Sequence, residues 1–402
     1  MSFTKLLHKI TLILVLEIVL VANICADTTP LTFILDRELL KRNKYEIRTG
    51  NEIYLTALSD LVLAADNVLN NPPYTVVNKT IIPPSGNKHD YFSLAPYWWP
   101  DPTKRNGRPY KQKDGRTNPE ANVIKDKFYV ASLSKDIQLL GLTYYYTEDE
   151  KYARKATELL RVFFIDRATR MNPNLNYGQA ILGVNDGRSV ALIETQHFVN
   201  LIDGVQLVAG SDSWTPKDHE ALTNWFSQFY KWMLNSSIGK EGIKSDNNIG
   251  TYYDIQIITY ALFTENKSFA KSYLINNVMK RIDVQFDKDG SQPLELKRTK
   301  SWTYCIKNIR GWMMLANLGA VTGVDIWNYR TSSGKSLEQG ILWLLPYAAG
   351  DKKWDYEEIR SVNLDWFIPI ARTSLPVYKN VRLASYLSHK TLTSRSKKEL
   401  LM

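Results

Sequence analysis

Four polar clusters lie within aromatic stretches of this 402-residue chain and contain its best candidates for chemistry. The clusters are 89–100, 170–177, 246–254 and 289–304. They combine amides, carboxylates, guanidinium groups and phenols with some of the chain's 11 Trp, 23 Tyr and 13 Phe residues. Rings in such numbers can pack a core or line a groove that stacks sugars or bases. Composition leaves both interpretations open.

Other classes of site lack their sequence patterns. There is no HExxH pair and no Gly-x-Ser-x-Gly elbow, and Gly-Lys-Ser at 334–336 lacks the full spacing of a phosphate-binding loop. The two cysteines, Cys25 and Cys305, cannot form a disulfide framework or a Cys-rich zinc site. Four of the five histidines, which could otherwise serve as metal ligands, are far apart in sequence: His89, His197, His219 and His389. The sequence therefore predicts no metal site and no cofactor.

Between about His89 and Trp327 the chain resembles the alginate-lyase-domain family of polysaccharide lyases. Six family patterns appear in order: HDY-x-S, YWWPDP, DG-x-x-NPE, RMNPNLNY, NN-[H]-GT-x-YD-x-Q and DGSQP-x-E-x-x-RT. Family members fold as α/α toroids and cleave uronate polysaccharides by β-elimination without a metal. The resemblance therefore implies a polysaccharide lyase whose partner is an acidic polysaccharide.

The same resemblance implies roles for the catalytic candidates. In β-elimination a base removes the C5 proton of a uronate, while an acid protonates the departing O4. Groups that neutralise the carboxylate stabilise the enolate-like intermediate. Asn248, with Asn247 beside it, and Arg298 match the neutralising positions, and Tyr304 matches the acid. Arg298 is expected to lower the pKa of Tyr304, which would let this tyrosine serve also as the base.

One position departs from the family pattern. Ile249 stands where family members usually have a histidine, and its side chain can neither transfer a proton nor form a hydrogen bond. His197 is the nearest plausible substitute. If Tyr304 serves as both base and acid, elimination from one face would favour substrates such as mannuronate. The alternative is a catalytically impaired homologue that only binds carbohydrate.

Several other residues are candidates for substrate binding: Asn247, Tyr97, Trp98, Trp99, Arg188, Tyr253 and Gln292. Some of the candidate residues also have a structural interpretation. Asn247 and Asn248 could simply cap a helix that begins near Thr251. Trp98 and Trp99 could pack the loop that contains them, Arg188 could brace a loop, and His197 could be a structural histidine whose hydrogen bonds are satisfied.

A glycoside hydrolase is a further alternative. Such an enzyme would need two carboxylates, for which Asp254 and Glu295 are available.

Helical periodicity predicts the elements that position these clusters. The predicted helices are Tyr54–Leu69, Asn122–Tyr146, Lys151–Phe164, Val190–Val208, Pro216–Leu234, Thr251–Phe263, Lys267–Phe286, Tyr304–Thr322 and Ser336–Leu345. Strand-like alternation is rare, and no fixed-period repeat is visible. We expect an all-α fold, an α/α toroid built as an incomplete barrel of antiparallel helix pairs. The long aromatic loop Asn78–Asn118 should lie over its cleft.

The ends of the chain and its charge predict a secreted protein with an anionic partner. Lys5 and Lys9 precede an apolar stretch that ends before a cleavage point at Asp27, which predicts a signal peptide over 1–26. A single domain over 27–390 and a basic tail over 391–402 would follow. The net charge of +10 suits a polyanion, yet no nucleic-acid-binding motif accompanies it. We expect secretion (to the periplasm in a Gram-negative source), no membrane association after cleavage and no nucleic-acid partner.

Overall fold

The computed structural model describes residues 29–390 and 399–401, so the predicted signal peptide and most of the basic tail lie outside the described residues. Within these ranges the longer helices begin with α1 Arg37–Arg48, α2 Glu52–Leu69, α3 Asp126–Thr147, α4 Glu150–Leu160, α5 Phe198–Val208 and α6 Pro216–Asn235. They continue with α7 Ser237–Gly242, α8 Asn248–Phe263, α9 Lys267–Tyr273, α10 Met279–Gln285, α11 Pro293–Leu296 and α12 Ser301–Thr322. The last are α13 Leu337–Ala349, α14 Ile368–Tyr378 and α15 Val381–Ser388.

Most of the predicted helices are confirmed, with one informative exception, whereas α1, α14 and α15 were not predicted. The predicted helix Val190–Val208 is divided into a 3-10 helix, Ser189–Thr195, and α5. The carbonyl of Thr195 accepts a hydrogen bond from the Tyr260 hydroxyl (3.3 Å), so a side chain of α8 satisfies a group at the break. His197 therefore stands at the start of α5 and not in the middle of a continuous helix.

Successive helices pack as antiparallel pairs around a continuous core, which gives the predicted α/α toroid. Helix α3 packs against α2, α4 and α5, while α8 packs against α6, α9 and α12. Every residue of α8 from Gly250 to Phe263 is buried. This helix is therefore central, and groups at its N-terminus are held by the surrounding layers. None of the described helices is long and apolar enough to cross a membrane.

The long loop 78–118 contains three of the four short strands in the described residues. Strand β1 (Phe92–Leu94) pairs in parallel with β4 (Tyr177–Ala180), and β2 (Trp98–Trp99) pairs antiparallel with β3 (Lys111–Gln112). A buried ion pair anchors the loop to α3, because Lys79 Nζ lies 2.6 Å from a carboxylate oxygen of Asp126. The same carboxylate accepts the backbone N–H of Phe92 (2.9 Å). The loop is thus fixed at its base, and its aromatic part reaches the first turn of α12.

Candidate active site

The centre of the candidate site is a cluster of Tyr97, Asp114, Arg298 and Tyr304, called here the Tyr304 cluster. Tyr304 lies in the first turn of α12, and its hydroxyl is 3.2 Å from the hydroxyl of Tyr97 in the long loop. The Arg298 guanidinium carbon lies 4.1 Å from the centroid of the Tyr304 ring. Three of the sequence-predicted residues are therefore in direct contact. All four side chains remain partly exposed, so a ligand can reach them.

Asp114 fixes the orientation of Arg298. The guanidinium donates from Nε and Nη2 to the two carboxylate oxygens of Asp114, at 3.2 and 2.9 Å. This ion pair lowers the pKa of Asp114. Nη1 makes no hydrogen bond with any described residue, so this edge of the guanidinium is available to a ligand. Sequence reasoning missed Asp114, although it begins the DG-x-x-NPE pattern.

The structure corrects the predicted pKa of Tyr304. Burial raises the pKa of the phenol, and the hydrogen bond with Tyr97 raises it further. Arg298 lowers it, as predicted, but this effect is smaller than that of burial. Tyr304 therefore stays protonated near neutral pH, which suits an acid and disfavours its use as the base.

The paired asparagines occupy the start of α8 and differ in role. Asn247 caps the helix, because its side-chain oxygen accepts the N–H of Ile249 (3.0 Å). Asn248 donates from its backbone N–H and its Nδ2 to the two oxygens of Glu295, at 2.6 and 2.8 Å. Glu295 thus dictates which way the amide of Asn248 faces and leaves its Oδ1 without a partner. The capping interpretation holds for Asn247.

Close packing at Gly250 keeps this turn in place. A Cβ built there would lie 1.9 Å from the carbonyl oxygen of Ser245 and 2.7 Å from Nη1 of Arg281. Arg281 also forms an ion pair with Asp254, which is completely buried (0% exposed). The glycine in the NN-x-GT pattern is therefore needed so that α10 can approach the start of α8.

Two predicted substrate-binding residues serve the scaffold instead. Tyr253 is 1% exposed, and its hydroxyl donates to the carbonyl of Met233 (3.0 Å). Gln292 is fully buried, donates to the carbonyl of Cys305 (3.3 Å) and accepts from Asn308 (2.9 Å). Neither side chain contacts solvent, so the prediction of direct substrate contact is wrong for both. Their polar groups instead join elements around the core.

The glycoside hydrolase alternative also loses its carboxylates. Asp254 is bound to Arg281 and to the Tyr273 hydroxyl (2.7 Å), and Glu295 is 1% exposed and occupied by Asn248. Neither carboxylate faces solvent, and both are engaged in holding the start of α8. They cannot flank a glycosidic bond in the way that such an enzyme requires.

The aromatic edge of the site is formed by Trp98 and Arg188. The Arg188 guanidinium carbon lies 5.9 Å from the Trp98 ring centroid, and its Nη2 donates to Gln179 (2.7 Å). The Nε atoms of both Arg188 and Trp98 are buried without a hydrogen-bond partner among the described residues. Trp99 instead donates to the carbonyl of Arg116 (2.9 Å) and braces the loop. Trp98 and Arg188 therefore offer unused donors, whereas Trp99 does not.

His197, at the start of α5, has a lowered pKa. Burial is the main cause, and the charge of Lys307 adds to it. The imidazole is therefore neutral at pH 7, and it forms no hydrogen bond with any described residue. Lys307, which sequence reasoning missed, lies one turn beyond Tyr304 on α12, a spacing that could have identified it.

Residues 29–390 and 399–401 contain no group of three or more His, Cys, Asp or Glu side chains placed to hold a metal ion. Cys305, the cysteine within these ranges, is buried and free. The arrangement as a whole offers a protonated phenol, a neutral imidazole and a guanidinium with one free edge. Such a set can move a proton to and from a substrate while stabilising negative charge on it.

Comparisons with known proteins identify the family and the fold of the chain. The family model described as alginate lyase matches residues 75–354. The crystal structure of an alginate lyase from Bacteroides ovatus is similar over 92% of this chain and 98% of that chain, with 34% identity and a TM-score of 0.88. Two complexes of alginate lyase A1-III variants with a tetrasaccharide each give a TM-score of 0.53 at 12% identity. They cover 83% and 88% of this chain, and 86% and 94% of theirs. No curated protein sequence gives a significant match.

The chain therefore belongs to the alginate lyase family, and it is a polysaccharide lyase. The A1-III structures, at their low identity, bear on the fold alone.

Proposed function

We propose that the chain cleaves a (1→4)-linked uronan, either polymannuronate of alginate or glucuronan, by metal-independent β-elimination. The products would carry 4,5-unsaturated uronate ends. The observation that supports this most strongly is the packing of Arg298, with its free Nη1, against the ring of Tyr304. A guanidinium edge beside a protonated phenol is suited to a uronate, whose carboxylate lies next to the carbon that loses its proton.

In the proposed reaction Arg298 binds the carboxylate and stabilises the enolate-like intermediate. Asn248, which is 1% exposed and donates to Glu295, holds the start of α8. His197, kept neutral by burial, removes the C5 proton, and Tyr304 donates its phenolic proton to the departing O4. The C5 proton ends on His197, and the electron pair of the C4–O4 bond leaves with the protonated oxygen. Every step is assigned to a protein side chain.

The proposed binding surface extends from the Tyr304 cluster to Trp98 and Arg188. A sugar ring can stack on the Trp98 indole, and the Arg188 guanidinium beside that ring supplies positive charge for a second uronate. The net charge of +10 would favour encounter with a polyanion. We also propose secretion of the protein, on the basis of the signal-peptide pattern in residues 1–26.

The test is ultraviolet absorbance by unsaturated uronate while the purified protein meets polymannuronate, glucuronan and polyguluronate separately. We expect a rise with one of the first two, because mannuronate and glucuronate share their configuration at C4 and C5. Tyr304→Phe should reduce the rate by at least ~100-fold, whereas Tyr45→Phe, at a position 65% exposed on α1, should not change it. No rise on any of the three polymers would contradict the proposal.

Ile249 supports a second candidate function, a carbohydrate-binding homologue with impaired catalysis. The isoleucine occupies the second position of α8 and is partly exposed, and its side chain cannot transfer a proton. This candidate predicts measurable binding of a uronan without unsaturated product.

A further inference from the structure

Lys307 is a cation of the site that has no assigned role. It follows Tyr304 by three residues on α12, and residues at this spacing lie on one face of a helix. Its Nζ lies 4.8 Å from the centroid of the Tyr252 ring on α8. The ammonium group forms no hydrogen bond or ion pair with any residue in the described ranges, although the backbone carbonyl of Lys307 accepts a hydrogen bond from the Tyr252 hydroxyl (3.2 Å). The ammonium group is therefore held between α12 and α8 without an acceptor.

Charged and titratable groups of the neighbouring elements surround Lys307. Glu295 of α11 attracts it, Arg298 repels it, and its own charge acts on His197 at the start of α5. Glu295 does not form an ion pair with Lys307; each of its oxygens instead accepts a hydrogen bond from Asn248. Burial without a direct counter-ion lowers the pKa of Lys307 to about 8. An anionic ligand would supply the missing partner.

The charges of the site indicate why a uronate needs this lysine. The positive charge of Arg298 is balanced by Asp114, with which it forms a two-point ion pair. Glu295 adds one negative charge close by, and His197 is neutral. Lys307 compensates the negative charge of Glu295, and Lys300, whose Nζ lies 5.1 Å from the Tyr97 ring centroid, adds a second cation at the edge of the site.

We propose that the ammonium group of Lys307 binds the carboxylate of the uronate whose C5 proton is removed, and so neutralises the charge that Ile249 cannot. This inference rests on the proposed function. The ammonium group donates hydrogen bonds to the carboxylate and transfers no proton, so the proton balance of the reaction is unchanged. Its position on Tyr304's face of α12 places the carboxylate near the acid that protonates O4.

The first experiment compares kcat/KM across pH for the parent protein, Lys307→Gln and Lys307→Arg. Lys307→Gln should lose ~10- to 100-fold, as expected when a charged hydrogen bond to the transition state is removed. The exposed Arg310 on the same helix gives the matched control, since Arg310→Gln removes an equal charge and should change kcat/KM by less than ~2-fold.

The pH profile separates this role from a structural one. A lowered lysine pKa means that the cation is present below about pH 8 and is lost above it, so parent activity should fall there. An arginine does not deprotonate in this range, so the alkaline limb should move to higher pH in Lys307→Arg. An alkaline limb unchanged in that variant would overturn the inference, even if Lys307→Gln fails to fold.

A binding experiment makes failure of the inference distinguishable from failure of the proposed function. In the Tyr304→Phe background, Lys307→Gln should weaken binding of a mannuronate oligosaccharide by at least ~10-fold and leave its carboxyl-reduced counterpart unaffected. Equal loss with both oligosaccharides, or no loss, would overturn the inference while leaving a lyase reaction possible. If the parent protein releases no unsaturated product but Lys307→Gln still causes this selective loss of binding, the carboxylate site is supported and the proposed reaction is contradicted.

Discussion

The substitution Arg281→Gln should test how the start of α8 is held. The Arg281 guanidinium donates to both oxygens of Asp254, at 2.5 and 3.3 Å. It also donates to the carbonyls of Ser245 (2.7 Å) and Ile243 (2.6 Å), in the segment that leads into α8. Glutamine is shorter and neutral, so it cannot replace the ion pair and both carbonyl contacts together.

The structure gives the size of the expected effect. Asp254 is 0% exposed, and without Arg281 its only side-chain partner among the described residues is the Tyr273 hydroxyl. Breaking a buried ion pair by removing one partner costs about 3–5 kcal/mol, because the remaining charge is uncompensated. We expect the free energy of unfolding to fall by this amount at pH 8. Catalytic activity should also fall, since the loosened segment carries Asn248.

The assay is urea unfolding followed by tryptophan fluorescence at pH 8 and pH 5. Burial already raises the pKa of Asp254, and loss of Arg281 should raise it further. Because the pKa of Asp254 is higher in the folded protein than in the unfolded chain, the loss of stability is full above the folded-state pKa. It declines as the pH falls toward the pKa of the unfolded chain. The difference between parent and variant should therefore be smaller at pH 5 than at pH 8.

The double variant Asp254→Asn/Arg281→Gln provides the control. It removes the uncompensated charge, so it should recover part of the lost stability at pH 8. A loss below about 1 kcal/mol in the single variant, or an equal loss at both pH values, would refute the reasoning that Arg281 compensates a buried carboxylate.

Three further substitutions test the Tyr304 cluster and position 249. Tyr97→Phe removes one hydrogen bond that raises the pKa of Tyr304, and it should reduce kcat by less than ~10-fold, far less than loss of Tyr304 itself. Asp114→Asn should lower the free energy of urea unfolding by less than about 1 kcal/mol, because the Asp114–Arg298 ion pair is partly exposed. Its kcat/KM should nonetheless fall by ~10-fold or more, because Arg298 loses its orientation. Unchanged kinetics would contradict the role of Asp114 in orienting Arg298. Ile249→His should change kcat by less than ~3-fold if elimination proceeds without a group at position 249; a gain of ~100-fold would favour the impaired-homologue alternative.

Much of the fold and part of the site could be predicted from the sequence. Helical periodicity located most helices within a few residues, because the positions buried against the core recur with the helical period. The family patterns are contiguous strings, so they identified Asn248, Arg298 and Tyr304 without knowledge of distant contacts. Ile249 was visible as a departure for the same reason. These features depend on local order along the chain.

Tertiary structure decided what each of those residues can do. The partner of Arg298 is Asp114, 184 residues earlier, and the partner of Tyr304 is Tyr97, 207 residues earlier. No local pattern encodes such pairings. The pKa of Tyr304 was predicted to fall because a cation is near in sequence, and it rises because burial outweighs that cation.

Burial also divided the motif residues between chemistry and support. Gln292 stands in the same family pattern as Arg298, yet packing places it in the interior, where its amide satisfies buried polar groups. Lys307 belongs to no motif, and only the packing of α12 against α8 leaves its ammonium without an acceptor beside Tyr304. The sequence determined which groups the chain possesses. Long-range packing determined which of them reach solvent and which charges are left without a partner, because desolvation and charge pairing depend on neighbours far apart in the sequence.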